Sequence, residues 1–133
     1  MNFTHIKETC LYVKDLEATE AFYHGKLGLP VIGKRPGAHV FFRAGSSVLL
    51  CFNPDDSKTK TALPPHWGSG ALHMAFECQT EDYEAWKAKL AEQEIPIVQE
   101  YTWFENCRSC YFNDPDGHVI EIVQPGLWDG GGG

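Results

Sequence analysis

The chain has 133 residues, 43% hydrophobic and 22% charged, which suits one globular domain large enough to bury a core. Lys and Arg number 11 against 18 Asp and Glu, and the net charge of −7 argues against nucleic acid or an anionic membrane as partner. No apolar run approaches membrane-spanning length, residues 1–7 lack a signal-peptide pattern, and five scattered cysteines fit a reducing cytoplasm better than a disulfide framework.

Glu8–Val13 reads as a strand. Asp15 stands at the N-cap of a helix, and Glu17 and Glu20 favour the positive end of that helix. Leu16, Thr19, Phe22, Tyr23 and Leu27 recur at helical spacing, and Gly28 with Pro30 ends the helix. Three strands follow, Pro30–Lys34, His39–Arg43 and Ser47–Asn53, separated by Pro36-Gly37 and by Gly45. Residues 54–69 are polar, with Pro54, Pro64 and Pro65, and read as a linker or an ordered lid.

The second half runs the same way. Leu72–Cys78 is a strand, Thr80 an N-cap, and Tyr83, Trp86 and Leu90 the apolar stripe of a second helix. Ile97–Thr102, Cys107–Asn113 and His118–Gln124 complete the set as strands. The last two flank Asp114-Pro-Asp-Gly117, in which Pro pre-sets φ, the acids bond the local backbone and Gly takes a positive φ, so they form a hairpin. His118 reads as a surface turn residue, and Cys107-x-x-Cys110, with no second pair, as neither a zinc nor a redox site.

The halves are copies of one unit. Asp15 and Thr80 lie 65 positions apart, Leu29-Pro-Val-Ile32 and Ile95-Pro-Ile-Val98 66 apart, and Val48–Cys51 and Val119–Ile122 71 apart. The first offset carries Glu8 onto His73 and the last carries Leu50 onto Glu121. Strand alternation puts Glu8, Cys10 and Tyr12 on one face and Thr9, Leu11 and Val13 on the other, which should lie under the helix. Glu121 is the misfit, a carboxylate inside a buried strand that must be paired or hold a metal, because desolvating it alone costs several kcal/mol. The plain reading pairs it with Arg43 or Arg108, and the sharper one makes it a ligand beside His73 and Glu8. His5 competes with Glu8 but falls on the opposite face of a regular strand.

The order of elements, the D-P-D-G hairpin with a Glu four residues after its Gly, and the L-H-M-A-F strand resemble the vicinal oxygen chelate superfamily over about Thr4 to Trp128. That group includes glyoxalase I, fosfomycin-resistance transferases, extradiol dioxygenases and the metal-free bleomycin-resistance proteins. The resemblance implies an α+β fold, with two paired βαβββ modules forming a cupped, barrel-like mixed sheet and helices outside. A single domain over residues 1–129 is expected, with module one at 4–53, the linker at 54–69, module two at 70–125 and a flexible glycine tail at 130–133. Mapped residue by residue, the family's metal positions fall on Glu8, Leu50, His73 and Glu121. Leu50 stands where glyoxalase I carries a Glu, which leaves Glu8, His73 and Glu121 as ligands, with Glu121 also catalytic. Three protein ligands leave positions open for two neighbouring oxygens of a substrate.

A carboxylate-rich set suits a divalent ion such as manganese, iron, zinc or nickel. Tyr101, Trp103, Arg108 and Tyr111 on the late strands, and His39, Arg43 and Leu50 in module one, are the candidate substrate contacts. The implied function is a cytoplasmic, metal-dependent enzyme of the glyoxalase/dioxygenase type that acts on a small substrate with vicinal oxygens and works as a homodimer. The alternative is a metal-free protein of the bleomycin-resistance type that sequesters a ligand, and the acidic balance would favour a cationic one.

Overall fold

A computed structural model describes residues 1–129; the glycine tail expected at 130–133 lies outside the described residues. The chain divides into two compact units, Met1–Gly70 and a second from Ala71 onward. Each unit is one βαβββ module built on a four-stranded mixed sheet.

In the first unit β1 (Glu8–Tyr12) leads into a helix α1 (Leu16–Glu20) that continues as wider π-type turns over Ala21–Lys26. The Asp15 carboxylate caps it as expected, accepting from the N–H groups of Glu17 and Ala18 at 3.0 and 3.1 Å. Strands β2 (Val31–Arg35), β3 (His39–Ala44) and β4 (Ser47–Phe52) follow, in the spatial order β1-β4-β3-β2, with β1 parallel to β4 and the other pairs antiparallel. Alternation sorts the side chains. Leu11, Val40, Phe42, Leu49 and Cys51 share the helix-side face and are buried with Phe22 and Tyr23. The Tyr23 ring meets that of Phe42 at 5.6 Å. Burying each such aromatic side chain contributes roughly 1.5–3 kcal/mol.

Residues 54–70 fold onto the first unit. Asn53 caps a short helix α2 (Pro54–Ser57) by accepting from the Asp55 N–H at 3.0 Å. The buried Ser57 hydroxyl donates to the His66 carbonyl at 2.6 Å, and His66 Nδ1 and the Tyr12 hydroxyl share a hydrogen bond of 2.8 Å. Gly68 is the close approach, since a Cβ there would fall 2.8 Å from the Tyr12 ring.

The second unit repeats the plan with β5 (His73–Glu77), α3 (Tyr83–Glu92), β6 (Gln99–Phe104), β7 (Cys107–Asn113) and β8 (Val119–Val123), in the order β5-β8-β7-β6. The duplication is carried into the hydrogen-bond register. Glu8 pairs with Val48 as His73 pairs with Val119, Cys10 with Leu50 as Ala75 with Glu121, and Phe41 with Leu50 as Tyr111 with Glu121. Tyr83, Leu90, Cys110, Phe112 and Ile120 are fully buried and form the core. The hairpin forms as read, with Asp114 Oδ1 accepting from the N–H groups of Asp116 and His118 and Gly117 at a φ of 81°.

Three local expectations change. Thr80 does not cap α3 with its side chain; a single 3₁₀ turn over Thr80–Asp82 precedes the helix, and the Thr80 carbonyl accepts from Gln124 Nε2 at 3.2 Å. Strand β6 starts at Gln99 rather than Ile97. His118 is buried rather than exposed, because its Nδ1 accepts the Leu72 backbone N–H at 2.9 Å. All five cysteines are free thiols. Among the described residues no helix is long and apolar enough to cross a membrane.

Candidate functional site

The face of the second sheet opposite α3 carries one line of polar contacts, with one residue from each strand. On β8, Glu121 is buried at 5% exposure; its Cα neighbours across the sheet are Ala75 and Tyr111. His73, at the start of β5, reaches diagonally, so that its Nε2 lies 3.3 Å from Glu121 Oε1. On β7, the Ser109 hydroxyl donates to Glu121 Oε2 at 2.5 Å. Trp103 of β6 donates its indole N–H to Ser109 Oγ at 2.9 Å. The register slips between Thr102 and Phe104, a bulge centred on Trp103, and bulges commonly re-aim a side chain in this way.

Hydrogen-bond chemistry fixes the polarity of His73. Its Nδ1 lies 2.8 Å from the Val119 carbonyl oxygen, which only accepts, so Nδ1 carries the proton and Nε2 turns its other side to the carboxylate. Two acceptors facing each other at 3.3 Å are held by a cation between them, either a proton on Nε2 or a metal ion. Two ligands about 2.1 Å from one ion and at right angles to each other stand about 3 Å apart, so the pair fits a divalent metal. The carbonyl behind the imidazole is the outer support such a ligand needs.

Tyr111 faces Glu121 across the strands, with its ring 6.3 Å from that of His73. Burial first, then the charge of Glu121 and a hydrogen bond to it, push the phenol above its ordinary range. Tyr101 and Trp103 meet edge to face at 4.7 Å and are 50% and 41% exposed, which leaves an aromatic surface at the edge of the sheet. Arg108 does not join them. It points to the helix side, where its guanidinium bonds Glu84 at 2.7 Å and lies 4.5 Å over the Tyr83 ring. The expectation that it faces substrate is therefore replaced by a role in holding α3 to the sheet.

Glu8, His39, Arg43 and Leu50 belong to the first unit and share one face of its sheet. Glu8 is exposed at the start of β1, opposite Val48, whose other neighbour is Arg43. Arg43 is exposed and donates only a long hydrogen bond, 3.5 Å, to the Ser47 carbonyl. His39 stacks flat on Phe41 at 4.0 Å, and its buried Nδ1 has no hydrogen-bond partner among the described residues. Burial, then the charges of Arg35 and Lys60, hold that imidazole below its ordinary range. Leu50 is half-buried between Cys10 and Phe41.

The second unit thus brings together His73, Glu121 and Tyr111 and, through Ser109, Trp103. Among the described residues no three His, Cys, Asp or Glu side chains gather to hold a metal ion. Ser109 is the member that the reading of the sequence missed. Its signal was the antiparallel register, which puts Ser109 and Tyr111 on the face of Glu121.

Comparison with known proteins carries the assignment further. Residues 3–122 match the model of the Glyoxalase/Bleomycin resistance protein/Dioxygenase superfamily. The chain is 26% identical over 127 residues to the metallothiol transferase FosB of Staphylococcus epidermidis (strain ATCC 12228 / FDA PCI 1200), covering 92% of this chain and 82% of that protein. It is 30% identical over 115 residues to the glutathione transferase FosA of Serratia marcescens, covering 84% and 74%. The crystal structure of lactoylglutathione lyase from Agrobacterium tumefaciens superposes with a TM-score of 0.90 at 35% identity, covering 96% of this chain and 98% of the other. Duplicated register, hairpin, acid–imidazole pair and relatives agree, and the chain belongs to the Glyoxalase/Bleomycin resistance protein/Dioxygenase superfamily.

Proposed function

We propose that this protein is a metal-dependent enzyme that makes or breaks an adduct between a low-molecular-weight thiol and a small molecule with vicinal oxygens. The observation that carries the reading is the 3.3 Å approach of His73 Nε2 to Glu121 Oε1, with the imidazole proton committed on the far side. His73 and Glu121 are two ligands, and Glu8 is the third that the family resemblance of the sequence implies. A divalent ion bound there supplies Lewis acidity toward the substrate's neighbouring oxygens, and manganese, iron, zinc and nickel all suit the donor set. Thiol chemistry is favoured because the names of the relatives share it: metallothiol, glutathione and lactoylglutathione.

The chain's own residues do the rest. Glu121 presents one carboxylate oxygen toward His73 and is the catalytic residue of this reading. The Tyr111 phenol, pushed up by burial and by Glu121, keeps its proton and hydrogen-bonds the Glu121 carboxylate. Tyr101 and Trp103 seat the apolar part of the substrate. Arg43, His39 and Leu50, the other substrate contacts expected from the sequence, share one face of the first unit's sheet, with Arg43 exposed. Exposed Met1, Phe3 and Ile6 ahead of β1, and exposed Val98 and Phe104 in the second unit, support a homodimer, which sedimentation velocity or sedimentation equilibrium checks.

Elemental analysis after reconstitution tests the reading, with His73→Ala and Glu121→Gln as controls. Stoichiometric metal in the wild type that is lost in both variants, with turnover of a thiol panel restored by one ion, is the expected result. A wild type that takes up no ion after reconstitution overturns it. The second reading, metal-free sequestration of a cationic ligand, draws on the −7 net charge and the exposed Tyr101–Trp103 pair, whose ring faces attract cations.

A further inference from the structure

We infer that Ser109 is a positioning residue for Glu121, with the direction of its hydroxyl proton set by Trp103. The inference rests on the reading of Glu121 and His73 as metal ligands and names the group that orients the first of them.

The argument is one of donors and acceptors. An indole N–H only donates, so the 2.9 Å contact from Trp103 Nε1 makes Ser109 Oγ an acceptor. Serine has a single hydroxyl proton, and Glu121 Oε2 stands 2.5 Å away to receive it. Ser109 is fully buried, so water does not compete for either bond. Oε2 is therefore engaged from behind and Oε1 faces His73, while the Tyr111 phenol bonds the same carboxylate and Ser109 as well. A carboxylate held like this meets a cation through one oxygen and in one orientation.

The duplicated fold supplies an independent observation. Ser109 and Glu121 occupy the positions that His39 and Leu50 hold in the first unit, since His39 pairs with Phe52 as Ser109 pairs with Val123. Where the carboxylate is replaced by leucine the hydroxyl is replaced as well, by an imidazole that stacks on Phe41 instead. The orienting hydroxyl and the carboxylate occur together or not at all. Trp103 sits at the bulge beside Tyr101, whose partner across the strands is Ser109. The line Trp103–Ser109–Glu121–His73 thus crosses all four strands from edge to edge, and its outer end is the exposed aromatic pair.

The test uses the full chain and Zn(II) as probe. The four tryptophans, Trp67, Trp86, Trp103 and Trp128, each contribute an indole N–H signal to a proton–nitrogen NMR spectrum, and Trp103→Phe assigns one of them. In metal-free protein, Ser109→Ala and Glu121→Gln are each expected to move the Trp103 signal, and Ser109→Thr, which keeps the hydroxyl, to leave it near its wild-type position. Zn(II) affinity is expected to fall about 10–100-fold in Ser109→Ala and to recover in Ser109→Thr. A purely structural serine would not transmit zinc binding to the indole, whereas an orienting one is expected to let zinc shift the Trp103 signal in wild type and not in Ser109→Ala. An unmoved Trp103 signal in metal-free Ser109→Ala or Glu121→Gln overturns the inference, as does undiminished Zn(II) affinity in Ser109→Ala. A wild type that binds no zinc or other divalent ion overturns the metal-enzyme reading instead, and the metal-free spectra of the variants then decide the role of Ser109 on their own.

Discussion

His73 and Glu121 face each other across 3.3 Å while the Val119 carbonyl holds the other imidazole nitrogen at 2.8 Å. Such a pair is arranged for a cation and not for the stability of the empty protein. A buried carboxylate bonded by the hydroxyls of Ser109 and Tyr111 and faced by one imidazole recovers only part of its lost hydration. Glu121→Gln should therefore leave the metal-free protein as stable as wild type or more so, while divalent-ion affinity falls by more than the roughly 100-fold typical of losing an outer hydrogen bond. Thermal melts in chelator, set beside metal titrations, check both halves. A clearly lower melting temperature in chelator would mean that Glu121 is a structural acid.

Arg108→Ala separates the two sides of β7. The guanidinium lies over Tyr83 and bonds Glu84 on the helix side, pointing away from the Glu121 face. The Arg108 side chain is 37% exposed and that of Glu84 65%, so solvent screens the ion pair and packing on Tyr83 carries most of the loss. A destabilisation of about 1 kcal/mol is expected, with metal affinity and KM unchanged. Denaturant melts and steady-state kinetics together test it. A selective rise in KM would return Arg108 to the substrate side.

Those two residues show how far the sequence could be read. Element order, hairpin and duplication were legible because they depend on spacing, and the offsets of 65 and 71 reappear as identical pairing of Glu8 with Val48 and His73 with Val119. Alternation also held the correction for Arg108. It and Tyr111 are three apart on one strand and so point to opposite faces, which their shared polarity obscured. Ser109 carried no signal of its own, since a lone serine in a strand is ordinary until its neighbour across the register is a buried acid. Alternation puts Trp103 on the face of Tyr101, but its bond to Ser109 is made at a bulge that no residue type in Thr102–Phe104 announces. His118 looked like a turn residue because Asp-Gly precedes it, but the partner that buries it, the Leu72 N–H, is 46 positions away.

Stability toward acid should depend in part on Glu100. Lys87 bonds its carboxylate at 2.9 Å, and that bond first, aided by the Tyr83 hydroxyl and opposed by burial, holds the carboxyl below the usual range. A folded pKa below the unfolded one means that the unfolded chain binds the proton more readily, so the contribution is complete above the unfolded value of about 4.3 and is lost as pH falls through the folded value. The same contact raises Lys87, whose contribution is present below its unfolded value near 10.4 and is lost as pH rises through the folded one. Wild type should lose melting temperature more steeply than Glu100→Gln between about pH 5 and pH 3. Parallel curves would show that the pair is not coupled to folding.

His118 anchors the strand that carries His73. Its Nδ1 accepts the Leu72 N–H at 2.9 Å, and the Leu72 carbonyl accepts the Val119 N–H at 2.8 Å, so the start of β5 is fastened to β8 on both sides. Its own N–H is held by Asp114 Oδ1, which ties the hairpin turn to the same point. His118→Phe keeps ring bulk but removes the acceptor, leaving the half-buried Leu72 N–H without it at a cost of about 1 kcal/mol. His118→Gln, which restores an acceptor on a flexible arm, should recover part of that loss. The damage should also reach the site, because His73 follows Leu72 directly and takes its orientation from the Val119 carbonyl. Divalent-ion affinity should therefore fall in His118→Phe and fall less in His118→Gln, even though neither residue touches Glu121. Hydrogen exchange at Leu72 and His73 measures the first effect and metal titration the second; fast exchange with undiminished affinity would show that His73 is oriented without help from this anchor.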